Sequence, residues 1–138
     1  RDSSVDFDDV LDNLVSHALE LSPRMGELHI ERTGTIGSLE PRIATPLALV
    51  VTELIHNALE HGLAEEGSAL GIHATLNGRE MAVTISDDGV GFPDGFDIAN
   101  SPNLGLQIVR TLTENELRGQ LQLITDDQQT RVTLTFPV

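Results

Sequence analysis

The 138-residue sequence contains no cysteine, lysine, tryptophan or tyrosine. Without cysteine there are no disulfides, no thiolate zinc site and no cysteine nucleophile, which fits a cytoplasmic setting. Without lysine there is neither a P-loop nor a protein-kinase site of the eukaryotic type, since each depends on one. Basic charge is scarce altogether: eight arginines stand against 22 acidic residues, for a net charge of −14. Such a field repels phosphate backbones, so nucleic acid is not an expected partner. A phosphate-bearing ligand would have to arrive with its own cation or meet local backbone donors. Long apolar runs are missing too. Nothing approaches the roughly 20 residues of a membrane helix, and no leader pattern opens the chain, so no membrane contact by this domain is expected. The sequence begins at Arg1 and enters an amphipathic pattern almost at once. It reads as a piece of something longer, with residues 1–6 the end of an upstream linker or dimerisation region and 7–138 a single domain.

What is present has a regular pattern. Val10, Leu11, Leu14, Ala18 and Leu21 recur at helical spacing, behind possible caps at Ser4 and Asp6 and before the stop at Pro23. A strand is expected around Leu28 to Arg32, and the region of Gly34, Gly37 and Pro41 reads as loop. A second helix is expected to start with Thr45 as N-cap and Pro46 in its first position, and to end at Gly62 in a left-handed cap. Its apolar face carries Leu47, Val50, Val51, Leu54, Ile55, Ala58 and Leu59, and its polar side Thr52, Glu53, His56, Asn57 and Glu60. Leu70 to Leu76 and Met81 to Ile85 alternate like strands and are joined by Asn77-Gly78, a dipeptide favoured in tight hairpins. An aperiodic stretch follows, then a helix from about Asn103 and two strands, Leu121 to Ile124 and Arg131 to Phe136. The sum is an α/β two-layer sandwich, with helices on one face of a mixed, mostly antiparallel sheet.

Three places could carry chemistry. Glu53 and Asn57, four apart on a helix, stack one above the other and offer the hard oxygens that Mg²⁺ accepts alongside water and phosphate. On its own that pair also fits a plain solvated face. Asp87-Asp88-Gly89-Val90-Gly91 follows an apolar strand; it reads either as a tight turn or as a strand-end carboxylate before glycines that let a flat ligand lie on the backbone. Asn103-Leu104-Gly105-Leu106 opens a helix, where free amides and the dipole favour phosphate, although ordinary capping by Asn103 would look the same. The residues from Gly91 to Pro102 between them have the makeup of a lid.

In this order and on these elements, the series resembles the histidine-kinase ATPase superfamily, which also holds the gyrase, chaperone and mismatch-repair ATPases and has the Bergerat ATP-binding fold. The resemblance runs from about Val5 to Pro137. Residues Glu53 to His61 look like its N box, Asp87 to Gly91 like its first glycine box, Asn103 to Leu106 like its second, and Thr130-Arg131-Val132 like its closing threonine motif. Among its members the chain looks most like the catalytic domain of soluble sensor histidine kinases. The resemblance implies ATP and Mg²⁺ as cofactors, with Asn57 the Mg²⁺ ligand and Glu53 orienting or deprotonating the attacking group. Asp87 would read the adenine amine, Gly89 and Gly91 would shape the pocket, and Thr130 would support it through water. Asn103, Leu104, Gly105 and Leu106 would cradle phosphate, with His61 the next candidate cation. It also implies an upstream histidine-containing dimerisation domain, a response-regulator receiver domain downstream, and a homodimeric parent protein.

The sequence departs from the family in places. Glu60 stands where many relatives carry Lys or Arg, Asn103 replaces a glycine, and Gln129 precedes Thr130 where Gly is usual. His17, His29 and His73 read as surface or internally satisfied residues, and no histidine sits in a phosphoacceptor motif. Two competing readings remain, a serine-kinase anti-sigma factor and a degenerate nucleotide-binding interaction module.

Overall fold

The computed structural model describes residues 3–93, 95–101, 103–126 and 129–138. Within them, seven strands and three α-helices follow one another as β1 (Val5–Asp6), α1 (Phe7–Glu20), β2 (His29–Thr33), β3 (Ser38–Leu39), α2 (Pro41–Asn57), β4 (Ala69–Asn77), β5 (Glu80–Asp87), α3 (Leu104–Thr111), β6 (Gln120–Thr125) and β7 (Thr130–Pro137). The main sheet has the order β2-β4-β5-β7-β6. Only its β2–β4 pair is parallel, because α2 lies between those two strands in the chain and carries it across the sheet; the other three pairs are antiparallel.

One face of this sheet is apolar by alternation: Leu70, Ile72 and Ala74 on β4, Met81, Val83 and Ile85 on β5, Val132, Leu134 and Phe136 on β7. The helices cover that face, through Phe7, Leu11 and Val15 of α1, Leu47, Val50, Val51 and Leu54 of α2, and Leu106 and Val109 of α3. The α/β two-layer sandwich expected from the sequence is thus the observed architecture.

The start of α2 differs from expectation. It begins at Pro41, with Glu40 as N-cap, and Pro46 lies inside the helix. Ile43, Ala44 and Pro46 are all buried, so the apolar stripe continues toward the N-terminus past the proposed Thr45 cap. The proline removes one helical donor, whose acceptor would be the carbonyl of exposed Arg42, where water can substitute. The far end differs as well. Instead of a left-handed glycine, residues Ala58–Gly62 form a π-helical turn closed by Leu63 N–H donating to Ala58 O at 2.7 Å, and Gly62 has no positive φ. The region read as loop before Pro41 contains β3, which pairs with β1 so that Val5 faces Leu39 and Asp6 faces Ser38. The carboxylate of Asp8 completes this corner by accepting from the amides of Ile36 and Gly37 at 3.0 and 2.8 Å. In the β4–β5 hairpin Asn77 pairs with Glu80, so the turn proper is Gly78-Arg79, one residue later than the Asn-Gly signal suggests, with Gly78 at φ +66°.

Candidate functional site

Alternation along β5 buries Met81, Val83 and Ile85 in turn, and the next residue in that row is Asp87. A carboxylate therefore occupies a core position, only 7% exposed. Register brings it beside Thr130, its partner on β7, whose hydroxyl is also buried. Burial pushes the Asp87 carboxyl up from its ordinary pKa; the Gly89 amide, donating to it at 2.9 Å, pulls it back, and the Asp88 charge adds to the upward push. Asp88 goes the other way. Exposed at the strand end, it accepts from the amides of Ala69 and Ser68, both at 2.9 Å, and these bonds, with Arg24 nearby, lower its pKa.

Three glycines make the space in front of Asp87. A Cβ on Gly62 would lie 2.6 Å from the Asp87 carboxylate, and one on Gly89 would lie 1.6 Å from the Gly62 carbonyl oxygen, which accepts from Val90 N–H at 2.9 Å. Gly91 adopts φ +75°, and a side chain there would also press on the Thr130 hydroxyl at 3.0 Å. Gly62 thus has its place for want of volume, not for a helix cap. Behind it, Arg24 donates to the carbonyls of Leu63, Glu66 and Gly67 at 2.7, 3.3 and 2.8 Å, holding the loop after α2 against the strand end.

Asp87 opens into a cavity of about 250 Å³. Its lining includes Leu54, Asn57, His61 and Gly62 from α2 and the turn beyond, Ile85 and Asp87 from β5, and Thr130 and Val132 from β7. The loop side supplies Gly91, Phe92, Pro93, Phe96, Ser101 and Asn103, and α3 supplies Leu106. Phe92 and Phe96 stack with ring centres 4.5 Å apart. Two buried polar atoms in this lining have no hydrogen-bond partner, the Asn57 side-chain nitrogen and the Thr130 hydroxyl. Unmet buried polar atoms are costly, and here both border a space that a ligand can fill.

The structure thus brings Asn57, His61, Asp87, Gly91, Asn103, Leu106 and Thr130 to one cavity. Gly89 stands just behind it. Glu53 is not in the lining. It sits where α2 meets the start of α3, and a Cβ on Gly105 would be 2.2 Å from its Oε2, so Gly105 leaves room for this carboxylate. Asn103 caps α3, its Oδ1 accepting from Leu106 N–H at 3.1 Å, while Leu104 is 73% exposed. Glu60 is turned from the cavity and held by His56 at 3.1 Å. His17, His29 and His73 are exposed, as read from the sequence. The sequence reading missed Phe92, Phe96 and Ser101, which sit in an aperiodic stretch, and took Gly62 for a cap. Arg24 lies far from every motif and gives no sequence signal at all.

Comparison with known proteins agrees with this geometry. The family model described as "Histidine kinase-, DNA gyrase B-, and HSP90-like ATPase" matches residues 42–138. Over 141 aligned residues the chain is 39% identical to the sensor histidine kinase PdtaS of Mycobacterium tuberculosis, covering 99% of this chain and 28% of that protein. It is 32% identical over 94 residues to blue-light-activated histidine kinase 2 of Erythrobacter litoralis, covering 67% and 27%. The chain spans less than a third of the length of these relatives. Among solved structures, the histidine kinase domain of the Erythrobacter litoralis EL346 blue-light activated histidine kinase superposes with a TM-score of 0.87 at 24% identity, over 99% of this chain and 69% of that one. The catalytic domain of histidine kinase ThkA gives 0.77 at 17%, over 98% and 95%. The chain belongs to the histidine kinase-, DNA gyrase B- and HSP90-like ATPase family.

Proposed function

We propose that this chain is the ATP-binding catalytic domain of a two-component sensor histidine kinase, passing the γ-phosphoryl group of ATP to a histidine on a dimerisation domain outside the chain. The observation that carries this reading is the buried Asp87 carboxylate at the end of β5, facing a cavity beside the unpartnered Thr130 hydroxyl. A desolvated carboxylate with a free acceptor site discriminates strongly for a ligand that donates an N–H, and adenine offers one from its exocyclic amine. Thr130 joins the same contact directly or through water. The cavity, about 250 Å³, is smaller than the roughly 300–1,000 Å³ of sites that enclose a whole drug-sized ligand. It suits the base and part of the sugar, and leaves the phosphates to lie outside it, with Asn57, His61 and Asn103 of the lining the candidates to meet them.

Among the described residues no three His, Cys, Asp or Glu side chains converge as a metal site. Asn57 fits a cation that takes its other ligands from phosphate oxygens and water, which is how Mg²⁺ is usually held. Mg²⁺ bound there would neutralise phosphate charge, which matters in a chain of net charge −14. Glu53, at the junction of α2 and α3, would orient an incoming imidazole or take its proton. As the imidazole nitrogen bonds to the γ-phosphorus, the bridging oxygen leaves with the electron pair as part of ADP. Catalysis is then mostly alignment of donor and acceptor. The PdtaS relative is named a sensor histidine kinase, which supports this reading, and the reading in turn implies a homodimeric cytoplasmic parent and a response regulator as the next acceptor.

Calorimetric titration of ATP and ADP, with and without Mg²⁺, on the native chain and on Asp87→Asn tests the reading. Binding that strengthens with Mg²⁺ and falls by about 10–100-fold in the variant supports it. No binding at millimolar nucleotide sinks it. Adding an upstream histidine-bearing fragment and a receiver domain then checks phosphoryl transfer itself.

A further inference from the structure

Gln107 lies on α3 one turn beyond its cap, outside the four motif residues that open the helix and outside the cavity lining. Its carboxamide nitrogen nevertheless donates to two backbone carbonyls of the preceding loop, Ile98 O at 2.7 Å and Ser101 O at 2.8 Å. Both protons of one amide group are spent on the same turn. That turn is a short 3₁₀ segment, Ile98–Asn100, closed by Ser101 N–H donating to Ile98 O at 3.2 Å. The chain of bonds continues into the site: Ser101 Oγ accepts from Asn103 N–H at 3.1 Å, and Asn103 O accepts from the Gln107 backbone amide at 3.2 Å. Ser101 and Asn103 line the cavity. One side chain therefore fastens to α3 the part of the loop that closes the site.

We propose that Gln107 is a positioning residue for nucleotide: by stapling the 98–101 turn to α3 it holds Ser101 and Asn103 in the place from which they meet the ligand. This rests on the cavity being the nucleotide site. The requirement is for a donor, since both partners are carbonyl oxygens. Leucine of similar size removes both bonds, and glutamate sets a charged acceptor against two other acceptors. Protonating that glutamate restores one donor.

The test uses the whole 138-residue chain as native, Gln107→Leu and Gln107→Glu, with calorimetric ATP titrations in Mg²⁺ and amide hydrogen exchange. Both variants are expected to bind ATP about tenfold more weakly at neutral pH, the size of one or two net hydrogen bonds. Exchange should speed up at the amides of Ser101 and Asn103 while the sheet amides stay protected. The deficit of Gln107→Glu relative to native should shrink as pH falls from about 7.5 to about 5, toward the range where a carboxyl takes up its proton, and that of Gln107→Leu should not. Affinity unchanged in both variants overturns the proposal, as does a loss of affinity accompanied by deprotection of the whole sheet or a Gln107→Glu deficit that ignores pH. Failure of the native chain to bind ATP would instead remove the nucleotide reading underneath, a result the native titration reports on its own.

Discussion

The cavity has two walls built by different means. The sheet-borne wall, with Asp87, Thr130, Ile85 and Val132, is set by ladder register and by the backbone contact of Gly62 with Gly89. The loop-borne wall, with Phe92, Phe96, Ser101 and Asn103, rests on one aromatic stack, the half-buried packing of Phe92, Phe96 and Ile98 on the core, and a few local hydrogen bonds. The first cannot shift without breaking strand pairing, so it can hold a buried carboxylate with an unmet neighbour. The second can be loosened one bond at a time. Under the proposed function, the stiff side would read the identity of the ligand and the soft side would govern access.

That contrast can be broken most severely at Gly89. A methyl group there meets the Gly62 carbonyl at 1.6 Å, a backbone atom that cannot swing aside, so Gly89→Ala should cost about 2–4 kcal/mol in denaturant unfolding and abolish ATP binding. Next comes Asp87→Asn. It should weaken ATP by about 10–100-fold, the worth of a hydrogen bond to a charged group, in the same calorimetric titration. It should also raise the melting temperature at neutral pH, because burial penalises the native carboxylate while the amide still offers Gly89 an oxygen. The sign follows from linkage. A folded pKa above the unfolded one means that stability falls as pH rises through the folded value, so the variant's advantage should close again on acidification. Asp88, with its lowered pKa, contributes with the opposite sign, its stabilisation being lost as pH falls through its folded value. Thr130→Val, which removes an unpartnered buried hydroxyl, should weaken ATP by about fivefold and leave stability level or slightly higher. The smallest effect on folding is expected at Gly105→Ala, about 0.5 kcal/mol either way, since its methyl meets side-chain ends alone, Glu53 first and the Asn103 oxygen at 3.1 Å. There the loss should appear in the rate of histidine phosphorylation, with ATP affinity nearly unchanged; an unaltered rate would remove Glu53 from the proposed chemistry.

Legibility in the sequence divides along similar lines. Strands β4, β5 and β7 were readable because alternation writes a half-buried strand directly into residue order, and Asp87 stood out as a carboxylate at a strand end before glycines. The cap at Asn103 was readable for a local reason too, as its side chain bonds three residues ahead. What failed was whatever depends on partners distant in the chain. Pro46 looked like a helix start because its solvated neighbour Arg42 gives no hint that the helix has already begun. Gly62 looked like a cap because nothing near it in sequence announces Asp87 in front of it or Gly89 against its carbonyl. The pairing of β1 with β3 involves two residues on each side, too few to produce a period.

The Arg24 bonds to Leu63 and Gly67 reach over 39 and 43 residues. A ribosome releases Arg24 before the carbonyls it must find, so these bonds can form only once the chain has grown past Gly67. The arginine never touches the cavity, yet the loop carrying the site onward from Gly62 is tied down through it. Retention on an ATP-bearing resin would therefore select for chains whose N-terminal part has docked as well as for intact motifs. In a library of randomised variants, positions outside this cavity would be purged by ligand selection for this reason alone.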